Sequence, residues 1–215
     1  MIKGIIFDLD GVIVSTDEYH YQGWQQLADE EGIEFNREIN ERLRGVSRME
    51  SLGILLEKAT KEYSEEEKIE MATRKNNIYR NLLKNITPAD ILPGVMDLLN
   101  ELKKKGIKMA IGSSSKNTPV ILERIRMDTF FDAVADGNDI RNSKPDPEVF
   151  LLAATRLSIP AEECLVVEDA EAGVSAALNA RMKVLAVGSA SKDKRAHLRA
   201  ADLTEVTAEE LLMMN

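Results

Sequence analysis

Short apolar runs that stop at polar residues recur along the chain. They are residues 5–7, 109–111, 133–135, 165–167 and 184–187. Between them lie segments with apolar residues at helical spacing, such as 95–102 and 149–157. Strands that are apolar throughout and alternate with helices are typical of a parallel sheet covered on both faces. The pattern therefore predicts an α/β fold. Near the end of the chain, residues 202–203 and 209–213 are predicted to form a last strand and a docking helix.

The alternation breaks between residues 15 and 87. Residues 15–18, Ser-Thr-Asp-Glu, predict a capping box that opens a helix, and Gly32 is its expected stop. A second capping box at 64–67 precedes a long helix. We therefore predict a small helical cap domain inserted after the first strand. The predicted division is a cap of residues 15–87 and a catalytic core of residues 1–14 and 88–215.

The strongest local signal is Asp8-Leu9-Asp10-Gly11, directly after the first apolar run. Side chains two apart on a strand point the same way, so both carboxylates project beyond the strand end. Their repulsion is tolerable if a hard cation lies between them. Alone, this motif is equally consistent with a solvated turn rich in aspartate.

Polar residues at three other positions add to this signal. Ser113 offers a hydroxyl after the second run, and Lys144 places an ammonium group before Pro145. Glu168 and Asp169 end a buried strand, which is a costly place for two carboxylates unless they bind metal or cations. Because the carboxyl ends of parallel strands meet at one edge of the sheet, these residues predict a shared site for a metal and an anion.

Composition narrows the class of protein. Apolar residues make up 44% of the 215, which is ample for a core, and the formal net charge is −9. An acidic chain repels the phosphate backbone, so we expect no nucleic acid partner. The only cysteine, Cys164, suits a reducing compartment. The apolar stretch at the N-terminus is too short for a signal peptide, because acidic residues begin at Asp8. No apolar run reaches membrane-spanning length. We expect a soluble, cytoplasmic monomer with no membrane partner.

In order and spacing, the motifs at Asp8–Asp10, Ser113, Lys144 and Glu168–Asp169 resemble those of the haloacid dehalogenase superfamily. The resemblance covers essentially the whole chain. It implies a Rossmann-like core, a Mg²⁺ cofactor and a phosphoryl-transfer enzyme that forms a phosphoaspartate on its first aspartate. The second aspartate would act as general acid and base, while the serine and lysine stabilise charge on the transferring group.

The implied metal ligands are oxygens. They are the side chain of Asp8, the main-chain carbonyl of Asp10, and Asp169, with Glu168 close by. The sequence does not say which of Glu168 and Asp169 binds the metal directly.

More narrowly, residues 16–20 with Trp24, 45–48, 74–76 and 113–117 resemble the β-phosphoglucomutases, a family within this superfamily. This implies interconversion of β-D-glucose 1-phosphate and D-glucose 6-phosphate through β-glucose 1,6-bisphosphate. The implied substrate-binding residues are Thr16, His20, Trp24, Gly45, Val46, Ser47, Arg48, Lys75, Ser115, Lys116 and Asn117. Arg48 offers a fork of donors for the distal phosphate. His20 and Lys75 would couple cap closure to the placement of Asp10.

Three alternatives remain open on the sequence. A Mg²⁺-dependent phosphatase acting on a small sugar phosphate would share the core motifs and differ in the cap. A phosphonate hydrolase would need a Schiff-base lysine, for which Lys75 is conceivable although the Gly-Val-Ser-Arg stretch at 45–48 argues against it. A non-catalytic binding protein would be expected to lack the nucleophile or a metal ligand, and neither is missing.

Overall fold

The computed structural model describes residues 1–214, whose strands form one parallel sheet. The strands are β1 (Gly4–Phe7), β2 (Lys108–Gly112), β3 (Ala133–Ala135), β4 (Cys164–Glu168), β5 (Lys183–Ala186) and β6 (Leu198–Arg199). Their order across the sheet is β3-β2-β1-β4-β5-β6. The order reverses beside β1, which pairs with β2 on one side and β4 on the other. A crevice at such a point is where ligands bind in open α/β sheets.

Five of the six strands confirm the predicted apolar runs, and the sixth corrects the sequence interpretation. The last strand was expected at residues 202–203 but lies at Leu198–Arg199, where it pairs with β5. Asp202 instead starts a short 3₁₀ turn, because its carboxylate accepts the backbone N–H of Thr204 at 2.8 Å. Aspartate competes with strand pairing in this way through local hydrogen bonds.

Helices cover both faces of the sheet. The core helices are α5 (Val95–Lys104), α6 (Thr118–Arg124), α7 (Glu148–Leu157), α8 (Glu171–Asn179) and α9 (Ala208–Leu212). Successive strand residues point to opposite faces. Ile5 and Phe7 accordingly pack into the cluster that contains α5, α6 and α9, whereas Ile6 packs into the cluster with α7 and α8. The α/β prediction is confirmed.

The helical cap follows β1, as predicted. It consists of α1 (Asp17–Glu31), α2 (Arg37–Glu41), α3 (Arg48–Leu56) and α4 (Glu65–Leu82). These helices enclose a hydrophobic cluster of their own, which includes Trp24, Leu27, Leu52, Leu55 and Met71. The C-terminal end of α4 leaves that cluster, because Tyr79 packs with the core instead. The exact limits of cap and core stay a prediction.

One of the two predicted capping boxes is confirmed. Ser64 and Glu67 cap α4 reciprocally, at 3.2 and 2.7 Å. The box at residues 15–18 is wrong, since α1 begins at Asp17 without a side-chain cap. The hydroxyl of Thr16 donates to the carboxylate of Asp10 instead. No helix within residues 1–214 combines the length and apolar character needed to cross a membrane.

Candidate active site

Three neighbouring strands deliver the predicted catalytic residues to one edge of the sheet. Asp8 follows β1, Ser113 follows β2, and Glu168 ends β4. Hydrogen bonds continue the strand pairing to this edge: the N–H of Asp8 donates to Val167 at 2.9 Å, and that of Ser113 donates to Ala135 at 3.1 Å. The three side chains are buried at the carboxyl ends of these strands. Their placement follows directly from the register of the strands.

Lys144 connects two of these strand ends. Its Nζ lies 2.8 Å from Oδ1 of Asp8 and 2.8 Å from Oε2 of Glu168. The side chain is 1% exposed, and its Nζ lies over the ring of Phe150, 4.7 Å from the centroid. The peptide bond between Lys144 and Pro145 is cis. Burial by itself would lower the pKa of Lys144, but the charges of Asp8 and Glu168 outweigh it and raise that pKa. The lysine is therefore a permanent cation beside the predicted nucleophile.

A buried cluster of carboxylates offers a site for a metal ion. One oxygen each from Asp8, Glu168 and Asp169 lies within 4.8 Å of the others. Burial and the neighbouring charge of Asp8 raise the pKa of Glu168 to about 7, and burial with the charge of Glu168 raises the pKa of Asp169 well above its usual range. A hard divalent cation reverses such shifts, and oxygen ligands are what it prefers. The donor set therefore fits a divalent metal.

The two acidic residues at the end of β4 differ in their surroundings. Both oxygens of Glu168 have protein partners, namely Lys144 and the N–H of Ala170 at 3.1 Å.

Asp169 lies over Gly11, where an added Cβ would meet Oδ2 of Asp169 at 2.2 Å. Gly11 also has a φ of +83°, which disfavours any side chain. The turn after Asp10 therefore needs glycine for two reasons.

Asp10 lies outside that metal cluster and has the properties of an acid. Burial, followed by the charge of Asp8, raises the pKa of Asp10 from 3.8 to about 7. The hydroxyl of Thr16 donates to Asp10 Oδ1 and favours its charged form. A carboxyl group that titrates near neutral pH can both give and accept a proton. A metal-binding role for the main-chain carbonyl of Asp10 stays a prediction.

A cavity of about 630 Å³ lies between core and cap. Most of the predicted site residues line it. They are Asp8, Asp10, His20, Trp24, Gly45, Val46, Ser47, Arg48, Lys75, Ser113, Ser115, Lys116, Asn117, Lys144 and Asp169. Thr16 and Glu168 do not line it, and contact it only through Asp10 and Lys144. The volume is within the usual range for small-molecule sites.

His20 and Lys75 form a pair in the cap, in which Lys75 is buried and His20 is partly buried. Nζ of Lys75 lies 2.9 Å from Nδ1 of His20 and 4.7 Å from the ring centroids of Trp24 and Tyr79. Burial, followed by the charge of Arg48, lowers the pKa of Lys75 from 10.5 to about 7. Burial and Lys75 likewise lower the pKa of His20 well below its usual value. The sequence predicted both residues but not their mutual contact.

The other cap residues have mixed roles. Ser47 lines the cavity, but its hydroxyl is engaged as the N-cap of α3, accepting from Glu50 at 3.2 Å. Arg48 is the first residue of that helix, and burial lowers the pKa of its guanidinium. Asn117 of the core donates to Asn76 of the cap at 3.0 Å, so a direct hydrogen bond joins the two parts beside the cavity.

Arg44 and Tyr79 are two of the cavity-lining residues that sequence reasoning missed. Arg44 contacts Asp169 at 3.2 Å, although 125 residues separate them. The buried hydroxyl of Tyr79 has no hydrogen-bond partner within the described residues 1–214. Two weak signals were present, because Arg44 precedes the 45–48 stretch and Tyr79 stands four residues after Lys75 on the same helix.

The chain matches known proteins over most of its length. The model of the haloacid dehalogenase-like hydrolase family matches residues 5–187. β-Phosphoglucomutase of Bacillus subtilis is 42% identical over 98% of this chain and 94% of its own length. A phosphorylated carbohydrates phosphatase of Thermotoga maritima is 31% identical, over 98% of this chain and 97% of its own.

A solved structure agrees with these matches. The crystal structure of β-phosphoglucomutase from Clostridium difficile superimposes with a TM-score of 0.92 at 42% identity, covering 98% of this chain and 96% of the other. The agreement includes the cap as well as the sheet, since both chains are covered almost completely. The chain therefore belongs to the haloacid dehalogenase-like hydrolase family.

Proposed function

We propose that this protein is a β-phosphoglucomutase that interconverts β-D-glucose 1-phosphate and D-glucose 6-phosphate. One observation carries the proposal: a single cavity is lined by Asp8 and Asp10 of the core and also by Arg48 of the cap and Lys116 of the core. A hexose bisphosphate needs cations for a second phosphate besides the reacting one. The 42% identity to a β-phosphoglucomutase over nearly the whole chain supports the same function.

Asp8 is the proposed nucleophile. Its carboxylate attacks the phosphorus of a bound phosphate ester and becomes a phosphoaspartate. Lys144 contacts this carboxylate and Ser113 lines the same cavity. They supply an ammonium group and a hydroxyl for the oxygens of the transferring group. We propose Mg²⁺ as the metal held by Asp8, Asp169 and the main-chain carbonyl of Asp10, with Glu168 close by. When bound, Mg²⁺ supplies the positive charge that offsets repulsion between carboxylate and phosphate.

Asp10 is the proposed general acid and base. Its pKa of about 7 lets it protonate the sugar oxygen that leaves when Asp8 is phosphorylated, and deprotonate the hydroxyl of the sugar monophosphate that attacks the phosphoaspartate. The hydrogen bond from Thr16, which does not line the cavity, orients this carboxyl group. His20 and Lys75 are proposed to couple closure of the cap to that orientation.

The cap is proposed to select transfer to a sugar over transfer to water. Arg48, with Ser115, Lys116 and Asn117, binds the distal phosphate, while Gly45 and Val46 contact the sugar. The phosphoaspartyl enzyme passes its phosphoryl group to either monophosphate and forms β-glucose 1,6-bisphosphate. This intermediate then reorients and returns its other phosphoryl group to Asp8, which releases the product monophosphate. A closed cap excludes the water that would otherwise hydrolyse the phosphoaspartate.

We also propose that the protein acts as a monomer in the cytoplasm. The buried, unpaired Cys164 suits a reducing compartment.

A sugar-phosphate phosphatase of the same fold is the second candidate. The 31% identity to a phosphorylated carbohydrates phosphatase over 98% of the chain favours it. It would use Asp8, Asp10, Ser113 and Lys144 in the same roles and pass the phosphoryl group to water. The two functions therefore differ in their products rather than in their nucleophile.

Product analysis separates the two candidates. The protein is incubated with β-glucose 1-phosphate, Mg²⁺ and a trace of β-glucose 1,6-bisphosphate, and glucose 6-phosphate and free phosphate are measured together. We expect glucose 6-phosphate in large excess, and neither product from Asp8→Ala. Free phosphate as the main product would contradict the mutase and support the phosphatase.

A further inference from the structure

Arg44 is a cap residue whose guanidinium contacts three carboxylates, one of which belongs to the predicted metal site. Its guanidinium lies 2.5 Å from Asp17, 3.0 Å from Glu41 and 3.2 Å from Oδ2 of Asp169. The first two partners belong to cap helices, whereas Asp169 follows β4 in the core. The arginine side chain is 24% exposed, so solvent only partly screens these pairs.

The backbone beside Arg44 also lies against the core. Gly45 has a φ of +72°, and a Cβ added to it would lie 3.0 Å from Cβ of Ala170 and 3.5 Å from Cβ of Ala172. Ala170 directly follows Asp169, and Ala172 lies in the first turn of α8. The contact between Arg44 and Asp169 therefore depends on close docking of this cap turn against the core loop, and not only on the reach of a long side chain.

The charges divide into two pairings. Lys144 forms ion pairs with Asp8 and Glu168, and Arg44 forms an ion pair with Asp169. Asp169 is also one of the three carboxylates of the metal cluster. A guanidinium and a divalent cation attracted to the same carboxylate repel each other at short range. The affinity for the metal must then include the free energy of weakening the contact with Arg44.

We propose that Arg44 competes with the divalent cation for Asp169 and so couples metal binding to docking of the cap. When the metal binds, the guanidinium retains Asp17 and Glu41 and loses part of its attraction to the core. Cap docking and metal binding thereby oppose each other through a single carboxylate. The inference rests on the metal site of the proposed function, but not on the identity of the sugar.

Metal titration tests the competition without any turnover. Mn²⁺ binding to the sugar-free protein is followed by the electron paramagnetic resonance signal of the free ion. We expect Arg44→Gln to bind Mn²⁺ roughly tenfold more tightly than the unaltered chain, because a neighbouring positive charge has been removed. Arg44→Lys keeps the charge and should change the affinity less. The matched control is Arg42→Gln, since Arg42 pairs with Glu57 on the exposed surface of the cap at 2.7 Å.

Each outcome decides a separate point. Equal or weaker Mn²⁺ affinity in Arg44→Gln overturns the competition while leaving the metal site intact. Absence of Mn²⁺ binding in all chains overturns the metal site as well as the inference. Circular dichroism confirms that each variant is folded. If Arg44→Gln fails to fold, Arg44→Met, which keeps the apolar stem, takes its place with the same expected result.

Discussion

The ammonium nitrogen of Lys144 lies 2.8 Å from Oδ1 of Asp8, in a pair that is almost completely buried. A cation at this distance attracts the carboxylate of Asp8. It would also attract a phosphoryl group bound to that carboxylate. Breaking a buried ion pair by removing one partner leaves the other charge without compensation. The pair thus relates stability and catalysis in one contact.

Replacement of Lys144 should mainly affect turnover. We expect Lys144→Ala to lower kcat roughly 10²- to 10³-fold with little change in KM, because the ammonium stabilises charge that develops during transfer. Steady-state kinetics with β-glucose 1-phosphate measures both constants. Lys105→Ala, on the exposed end of α5, is the control and should leave both unchanged. An unaltered kcat with only a raised KM would contradict the assigned role.

Arg48 should matter for substrates that carry a second phosphate. Loss of charge-assisted hydrogen bonds to that group is expected to lower kcat/KM for β-glucose 1,6-bisphosphate by roughly 10- to 100-fold in Arg48→Ala. Arg37→Ala, which removes an exposed cap arginine paired with Glu18, is the matched control. Equal kcat/KM values for the two variants would remove Arg48 from the distal site.

Two glycine substitutions should have opposite effects on stability. Gly11→Ala forces a side chain into a φ of +83° and places Cβ 2.2 Å from Oδ2 of Asp169. We expect it to lower the free energy of unfolding by about 1–3 kcal/mol and to weaken metal binding. Gly53→Ala in α3 meets no atom within 4 Å and should raise that free energy by about 0.5–1 kcal/mol. Urea denaturation measures both, and a stabilised Gly11→Ala would contradict the tight packing at Asp169.

The buried amine of Lys75 predicts a pH dependence of stability. Its pKa is about 7 in the folded protein and 10.5 as the ordinary value, so between these pH values the unfolded chain binds a proton that the folded chain does not. The free energy of unfolding therefore rises with pH in this window, by about 2 kcal/mol between pH 7 and pH 9 from this group.

Lys75→Met removes that contribution. The free energy of unfolding of Lys75→Met minus that of the unaltered chain should be larger at pH 7 than at pH 9. Denaturation at both pH values measures it, and Lys68→Met, which removes a partly exposed lysine of the same helix, is the control. A difference that does not vary with pH would show that the amine is not neutralised by burial.

The sequence determined five of the six strands and the gathering of the predicted catalytic residues at one edge of the sheet. Apolar runs ending at Asp8, Gly112-Ser113 and Glu168 were sufficient, because the carboxyl ends of parallel strands meet at one edge whatever the rest of the chain does. Local rules worked where only local groups compete, as at the capping box of Ser64. They failed at residues 15–18, because the hydroxyl of Thr16, the residue before α1, donates to Asp10 and does not accept a backbone N–H of its own helix.

The docking of the cap on the core, and the polar contacts within the cap, were decided by tertiary structure alone. The contact between Arg44 and Asp169, the hydrogen bond from Asn117 to Asn76, and the approach of Lys75 to His20 join residues 125, 41 and 55 positions apart. Periodicity reports which face of an element is buried, but not which distant polar group will lie opposite it. The pKa values near 7 of Asp10 and Lys75 have the same origin, because desolvation depends on how completely the cap encloses the site.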